Sequence, residues 1–161
     1  MNRRLQEFFN ARAADCHVVT HPEAFTAQEQ AATADTSGWS WAKVVVVKER
    51  DGFVLAVLSA CCAVDLNRLK GLIGHGEIRL ATVDEIRRMI RDSEPGAIPP
   101  FGELFGLRTF VDHTLINRRE ITFPAGDHRT AIRMRATEFL RLSAARVGHF
   151  AVPESAASPA R

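Results

Sequence analysis

Leu5, Phe8, Phe9 and Ala13 recur at the interval of one helix face, so residues 2–13 are expected to form an amphipathic helix. Cys16 to Thr20 is a short apolar run stopped by His21-Pro22, the pattern of a brief strand. Thr26 and Glu29 make a capping box for a helix reaching Ala34. The run Val44-Val45-Val46-Val47 centres a strand from Trp41 to Lys48. Asp51-Gly52 marks a hairpin turn, and Phe53 to Ser59 is the returning strand. Asp65 caps a helix carrying Leu66, Leu69 and Leu72 and ending at Gly74. A brief strand is expected over Glu77 to Ala81, and Thr82 with Glu85 repeats the capping box for a helix through Arg91.

The pattern then breaks. Two Gly and three Pro within Glu94 to Gly102 exclude helix and central strand. Strands resume over Leu107 to Asp112, Glu120 to Pro124 and Ala131 to Met134, with a turn at Ala125-Gly126-Asp127-His128 and a closing helix over Thr137 to Ala145. Residues 151–161, rich in Ala, Ser and Pro, read as a flexible C-terminal tail after one domain over 1–150. Strands come mostly as hairpin neighbours rather than in strand-helix alternation. The expected fold is therefore an α/β single domain with a mixed, curved, barrel-like sheet surrounded by helices.

Composition narrows the classes. The 161 residues suit one domain, and 46% hydrophobic with 25% charged residues is ordinary for a globular chain. A formal net charge of +2 does not by itself demand a nucleic-acid partner. Cys16, Cys61 and Cys62 are odd in number and lack ligand spacing, so neither a disulfide framework nor a structural zinc site is expected. No signal core and no apolar stretch of spanning length is seen, which points to a cytoplasmic location without membrane contact. No metal and no cofactor is expected, and a monomer is the default.

Three features carry candidate chemistry. Lys43 lies in a strand with Trp41 and Val45 as same-face neighbours. An ammonium among apolar groups is costly unless an anion meets it, although a strand-end Lys often snorkels to water. The loop around Gly96, Ala97, Pro100, Phe101 and Gly102 is stiff, and its backbone N–H groups could hold a carbonyl oxygen; a purely structural loop stays open. Asp112 at a strand end, and Gly126 and His128 in a turn, are third, with turn-capping and surface roles equally open. Trp39 and Trp41 could stack a base, or be core.

In order, the chain carries Ala42-Lys43-Val44-Val45-Val46, Val64-Asp65-Leu66 and Arg79-Leu80-Ala81-Thr82. Gly96-Ala-Ile-Pro-Pro-Phe-Gly102, Val111-Asp112 and Phe123-Pro124-Ala125-Gly126 follow. This series, spread over roughly residues 3–145, resembles the YbaK/ProX family of trans-editing aminoacyl-tRNA deacylases, which includes the editing insertion domain of bacterial prolyl-tRNA synthetases. The resemblance implies hydrolysis of the ester between a wrong, small amino acid and the terminal adenosine of tRNA, often proline tRNA. It implies contact with the acceptor end of the mischarged tRNA, with an aminoacyl-tRNA synthetase as an open second partner. The family's functional Lys falls on Lys43 and its loop Gly on Gly96, both catalytic; Gly126 falls on a turn that lines the site. Ala97, Pro100, Phe101, Gly102, Asp112 and His128 are the remaining expected substrate contacts. Val44 departs from the Thr or Asn common after that Lys, so amino-acid specificity does not transfer. A catalytically silent module that binds tRNA or a synthetase is the alternative.

Overall fold

A computed structural model describes residues 1–74 and 76–154 of the chain. The β-branched run forms the centre of β2 (Ala42–Glu49), which returns as β3 (Gly52–Ser59) in antiparallel register from Ala42 opposite Ser59 to Glu49 opposite Gly52. β5 (Arg79–Leu80) pairs with the outer side of β2. β6 (Arg108–Asp112) lies parallel to β3, and β9 (Arg146–Gly148) parallel to β6. The resulting five-stranded sheet has the order β5-β2-β3-β6-β9.

A second, antiparallel sheet has the order β1-β8-β7, built from β1 (His17–Thr20), β7 (Glu120–Pro124) and β8 (Thr130–Arg135). A single bridge between Trp41 and Thr122 joins the two sheets. A third pair joins β4 (Cys62–Val64) to β10 (Ala151–Pro153). The main sheet is mixed and the domain is flanked by helices, as expected, but the sheets do not close into a barrel.

Helix starts follow their side-chain caps. Asn2 accepts from Leu5 N–H at the head of α1 (Arg3–Ala11). Thr26 and Thr82 form complete capping boxes with Glu29 and Glu85 for α2 (Ala27–Thr33) and α4 (Val83–Met89). Asp65 caps α3 (Leu66–Ile73), which ends at Gly74 with φ +112°. α6 (Ala136–Ser143) is the closing helix. A one-turn α5 (His113–Ile116) interrupts the stretch between β6 and β7.

Alternation along β2 and β3 separates two packing layers. Val47, Val54, Ala56 and Leu58 face α3 through Leu69 and Ile73, together with Phe110 and Phe150. Ala42 and Val57 face the other way, onto Phe101 and the apolar sides of α1, α6 and the three-stranded sheet. Val46 and Leu55 share that second face with Ile98. The proline-rich loop is thus packed beneath one face of the main sheet.

Of the tail expected over 151–161, Ala151–Pro153 forms β10 against β4, and residues 155–161 lie outside the described residues. The strand expected over 77–81 shrinks to Arg79–Leu80. No helix among the described residues is long and apolar enough to cross a membrane.

Candidate functional site

The loop and the hairpin turn after β7 are knitted together by their own backbones. Glu94 N–H donates to Gly126 O (2.9 Å), Gly126 N–H to Ala97 O (2.9 Å) and Ala97 N–H to Glu94 O (2.9 Å). Gly96 sits at φ +84° and Gly126 at φ +104°, the left-handed region that glycine tolerates. A Cβ on Gly96 would lie 3.2 Å from Phe25 O and 3.5 Å from His128 Cε1, and one on Gly126 would meet Asn2 Cβ at 2.8 Å. Neither position admits a side chain without strain.

Gln30, buried in α2, fixes this hook from behind. Its amide donates to Gly96 O (3.1 Å) and Phe25 O (3.2 Å), and lies 3.4 Å from His128 Nδ1. The other ring nitrogen, His128 Nε2, is 3.2 Å from Glu94 Oε2. His128 thus sits between the Gln30 amide and the Glu94 carboxylate, one ring nitrogen toward each. Phe25, exposed, lies with its ring centroid 4.9 Å from that of His128. Gly96 itself is exposed, and among the described residues no acceptor takes its N–H. The arrangement offers an outward backbone donor on a braced loop, the part an oxyanion hole needs.

Of the expected site residues, the structure brings together Gly96, Ala97, Gly126 and His128. Pro100, Phe101 and Gly102 are buried beneath the hook. The Phe101 ring is in the aromatic core, 5.3–5.5 Å between centroids from Phe8, Phe9, Phe123 and Phe139. Gly102 N–H donates to Thr109 Oγ1 (2.9 Å).

Lys43 makes its polar contacts with other residues than those of the hook. Its side chain is 21% exposed; the ammonium lies 3.4 Å from Glu154 Oε1 and 3.5 Å from Ala60 O. Gln28 reaches the same two partners, Glu154 Oε2 (2.8 Å) and Ala60 O (3.4 Å). Neither polar partner of Lys43 belongs to the Gly96–Gly102 loop. The strand's own alternation explains this: Lys43 shares the face of Val45 and Val47, whereas Ile98 packs on the face of Val46. Gln28 and Gln30, two residues apart on α2, point to different sides of the helix and so touch Lys43's partner and the hook respectively.

Asp112, fully buried, is the cap of α5. One oxygen accepts from Phe150 N–H (2.8 Å) and Ala151 N–H (2.9 Å), the other from Thr114 N–H (3.0 Å) and the Thr114 hydroxyl. Burial pushes its pKa up, but these donors outweigh burial and hold it below the ordinary carboxylate range. A depressed folded-state pKa stabilises the fold above the unfolded value, and this stabilisation is lost as pH falls through the folded value. Asp112→Asn turns an amide donor onto the donors of Thr114 or of Phe150 and Ala151. It is expected to cost about 1–3 kcal/mol near neutral pH and to flatten the acid limb of stability below roughly pH 4. Urea unfolding as a function of pH checks both.

Phe25, Gln28, Gln30, Glu94 and Glu154 escaped the sequence reading. Gln30 had a signal: a polar residue beside the small buried face Ala27, Ala31 and Ala34 of α2, which requires a partner. Among the described residues no group of three or more His, Cys, Asp or Glu side chains could hold a metal ion.

The model of the aminoacyl-tRNA editing domain matches residues 21–142, and the chain belongs to that family. A crystal structure of a candidate trans-editing enzyme for prolyl tRNA synthetase is 28% identical, with TM-score 0.82 over 92% of this chain and 95% of that one. Hypothetical protein APE2540 shares the fold at 20% identity, TM-score 0.84, over 93% and 100% of the two chains. A larger protein from Marinobacter aquaeolei VT8 contains the same fold at 19% identity and TM-score 0.76, covering 98% of this chain and 32% of its own. No curated protein matches the sequence.

Proposed function

We propose that this chain hydrolyses the ester joining a wrong, small amino acid to the 3′ end of tRNA, with proline tRNA as the first candidate. The carrying observation is the exposed Gly96 N–H, free of any partner among the described residues and held rigid by Gln30 and the Gly126–His128 turn. An aminoacyl ester is already activated, so orientation and stabilisation of the carbonyl oxygen supply much of what is needed. Water adds to the carbonyl carbon while Gly96 N–H faces the developing oxyanion. The bond from that carbon to the ribose oxygen then breaks, a proton passes to the ribose oxygen, and free amino acid and tRNA leave.

Arg87, Arg88 and Arg91 line a cleft of about 900 Å³ with Pro95 and Gly126 of the hook and with three carboxylates, Asp84, Asp92 and Glu94, of which Asp92 is paired with Arg4 and Glu94 lies beside His128. None of these arginines has a carboxylate within 4.0 Å among the described residues. This supports a track for acceptor-end phosphates leading to Gly96. Lys43 gives up its contact with Glu154 to bind a phosphate or the ester region of the substrate. An exposed pair at 3.4 Å contributes at most about 1 kcal/mol, so a phosphate displaces the carboxylate readily. Such a substrate is compatible with a cytoplasmic location.

A second reading is a binding module without turnover. It is favoured by the engagement of Lys43 with Glu154 and by Val44. A panel of mischarged tRNAs decides between them: release of amino acid from at least one member, faster than from tRNA alone, is the expected result. Stability of every ester in the presence of the protein would leave only the binding module.

A further inference from the structure

Eight arginines of this chain spend their charge on carboxylates: Arg3, Arg4, Arg12, Arg68, Arg79, Arg108, Arg129 and Arg141 all sit in ion pairs. Among the described residues Arg118, Arg119 and Arg133 have no such partner, although they line one cleft of about 460 Å³ together. Two of them are held by hydroxyl groups instead. Arg133 donates to Thr36 Oγ1 (3.0 Å) and Thr122 Oγ1 (3.4 Å), and Arg118 to Ser40 Oγ (3.2 Å). A hydroxyl acceptor orients a guanidinium without neutralising it. Asp35 and Glu120 also line the cleft, yet neither comes within 4.0 Å of these guanidiniums, so three cations stand against two carboxylates. The chain between the lining residues Ser37 and Ser40 carries Trp39, 43% exposed, whereas Trp41 is fully buried. Trp39 is therefore within two residues along the chain of the cleft's lining, and its exposed indole is a candidate stacking partner for a base whose phosphate the guanidiniums hold.

The cleft has a fixed relation to the hook. Thr122 and Arg133 are opposite each other on β7 and β8, and the hairpin turn of those same strands carries Gly126 and His128. From Thr122 to Gly126 is four residues, roughly 13 Å of extended chain. That is the reach of about four stacked nucleotides at ~3.4 Å each.

We propose that the Arg118–Arg119–Arg133 cleft is a second contact for tRNA, binding a backbone phosphate of the strand whose 3′ ester lies at Gly96, with a neighbouring base stacked on Trp39. This rests on the deacylase reading for its choice of RNA. The cleft sets affinity for the nucleic acid and leaves the chemistry at the ester to the hook.

The test uses the full chain and fluorescently labelled uncharged tRNA, so that it reports even if no ester is cleaved. By anisotropy, Arg133→Gln and the double variant Arg118→Gln/Arg119→Gln are each expected to weaken binding by about tenfold at low salt. Each lost phosphate contact should also lower the slope of log affinity against log salt by about one. Trp39→Ala is expected to weaken binding about fivefold or more with the salt slope unchanged. Arg118 and Arg119 are exposed, so the double variant keeps the thermal midpoint of the parent and reads the site rather than the fold.

On mischarged tRNA the double variant should raise KM and keep kcat, while hydrolysis of an aminoacylated adenosine is unchanged. Unaltered tRNA affinity and salt slope in the double variant overturn the proposal, even if deacylation is present. So does loss of inorganic phosphate binding with tRNA binding intact, since the cleft is then a site for free phosphate.

Discussion

Lys43→Ala is expected to lower kcat/KM for a mischarged tRNA by about a hundredfold or more, with the thermal midpoint nearly unchanged. The fold does not depend on the ammonium, because its partner Glu154 is half-exposed and the pair contributes at most about 1 kcal/mol. The proposed substrate is expected to depend on it, because a phosphate takes a charge-assisted hydrogen bond that alanine cannot supply. Glu154→Gln separates these roles. It removes the carboxylate that competes for Lys43, so activity is expected to hold or rise, where a merely structural pair would lose stability and gain nothing. Single-turnover deacylation of the tRNA found by the mischarged panel measures both variants. Full activity in Lys43→Ala ends the assignment of Lys43 to the reaction, while the hook at Gly96 stands or falls separately.

Phe101→Ala is expected to destabilise the fold by about 3–5 kcal/mol. The ring is fully buried and meets four other phenylalanines, drawn from α1, β7 and α6. Those neighbours belong to three separately formed elements and cannot collapse into the hole together, which places the cost toward the upper part of that range. At roughly 2–4 °C per kcal/mol for a chain of this size, the midpoint should fall by about 6–20 °C. Calorimetry or thermal circular dichroism checks it. A loss below about 1 kcal/mol would mean that the loop is not anchored through this ring. Because Phe101 lies under the Gly96 hook, the same variant is expected to lose deacylation at temperatures where it is still folded.

The local parts of the fold were legible because their causes are local. Four consecutive valines and Asp51-Gly52 specify the β2–β3 hairpin without help from the rest of the chain. The Thr26–Glu29 and Thr82–Glu85 boxes fix two helix starts within four residues each. What stayed hidden was short and distant. β4, β9 and β10 have three residues each, too few for a period to show, and exist through partners such as Ala151 for Val64. The sequence singles out Gly96, Ala97, Gly126 and His128, which the structure gathers, but not Gln30, which braces them. It could not reveal that Lys43 faces Glu154, 111 positions away, since no spacing rule links them. Phe101 was read with the hook because Pro and Gly flank it; its burial depends on phenylalanines elsewhere in the chain.

The cradle around Asp112 also bears on how this protein is made. Two of its donors, the N–H groups of Phe150 and Ala151, are synthesised 38 and 39 residues after the carboxylate they hold. A chain cut short before residue 150 therefore carries a half-satisfied aspartate at the end of β6 and leaves β4 without its β10 partner. Quality-control proteases are expected to take such products first.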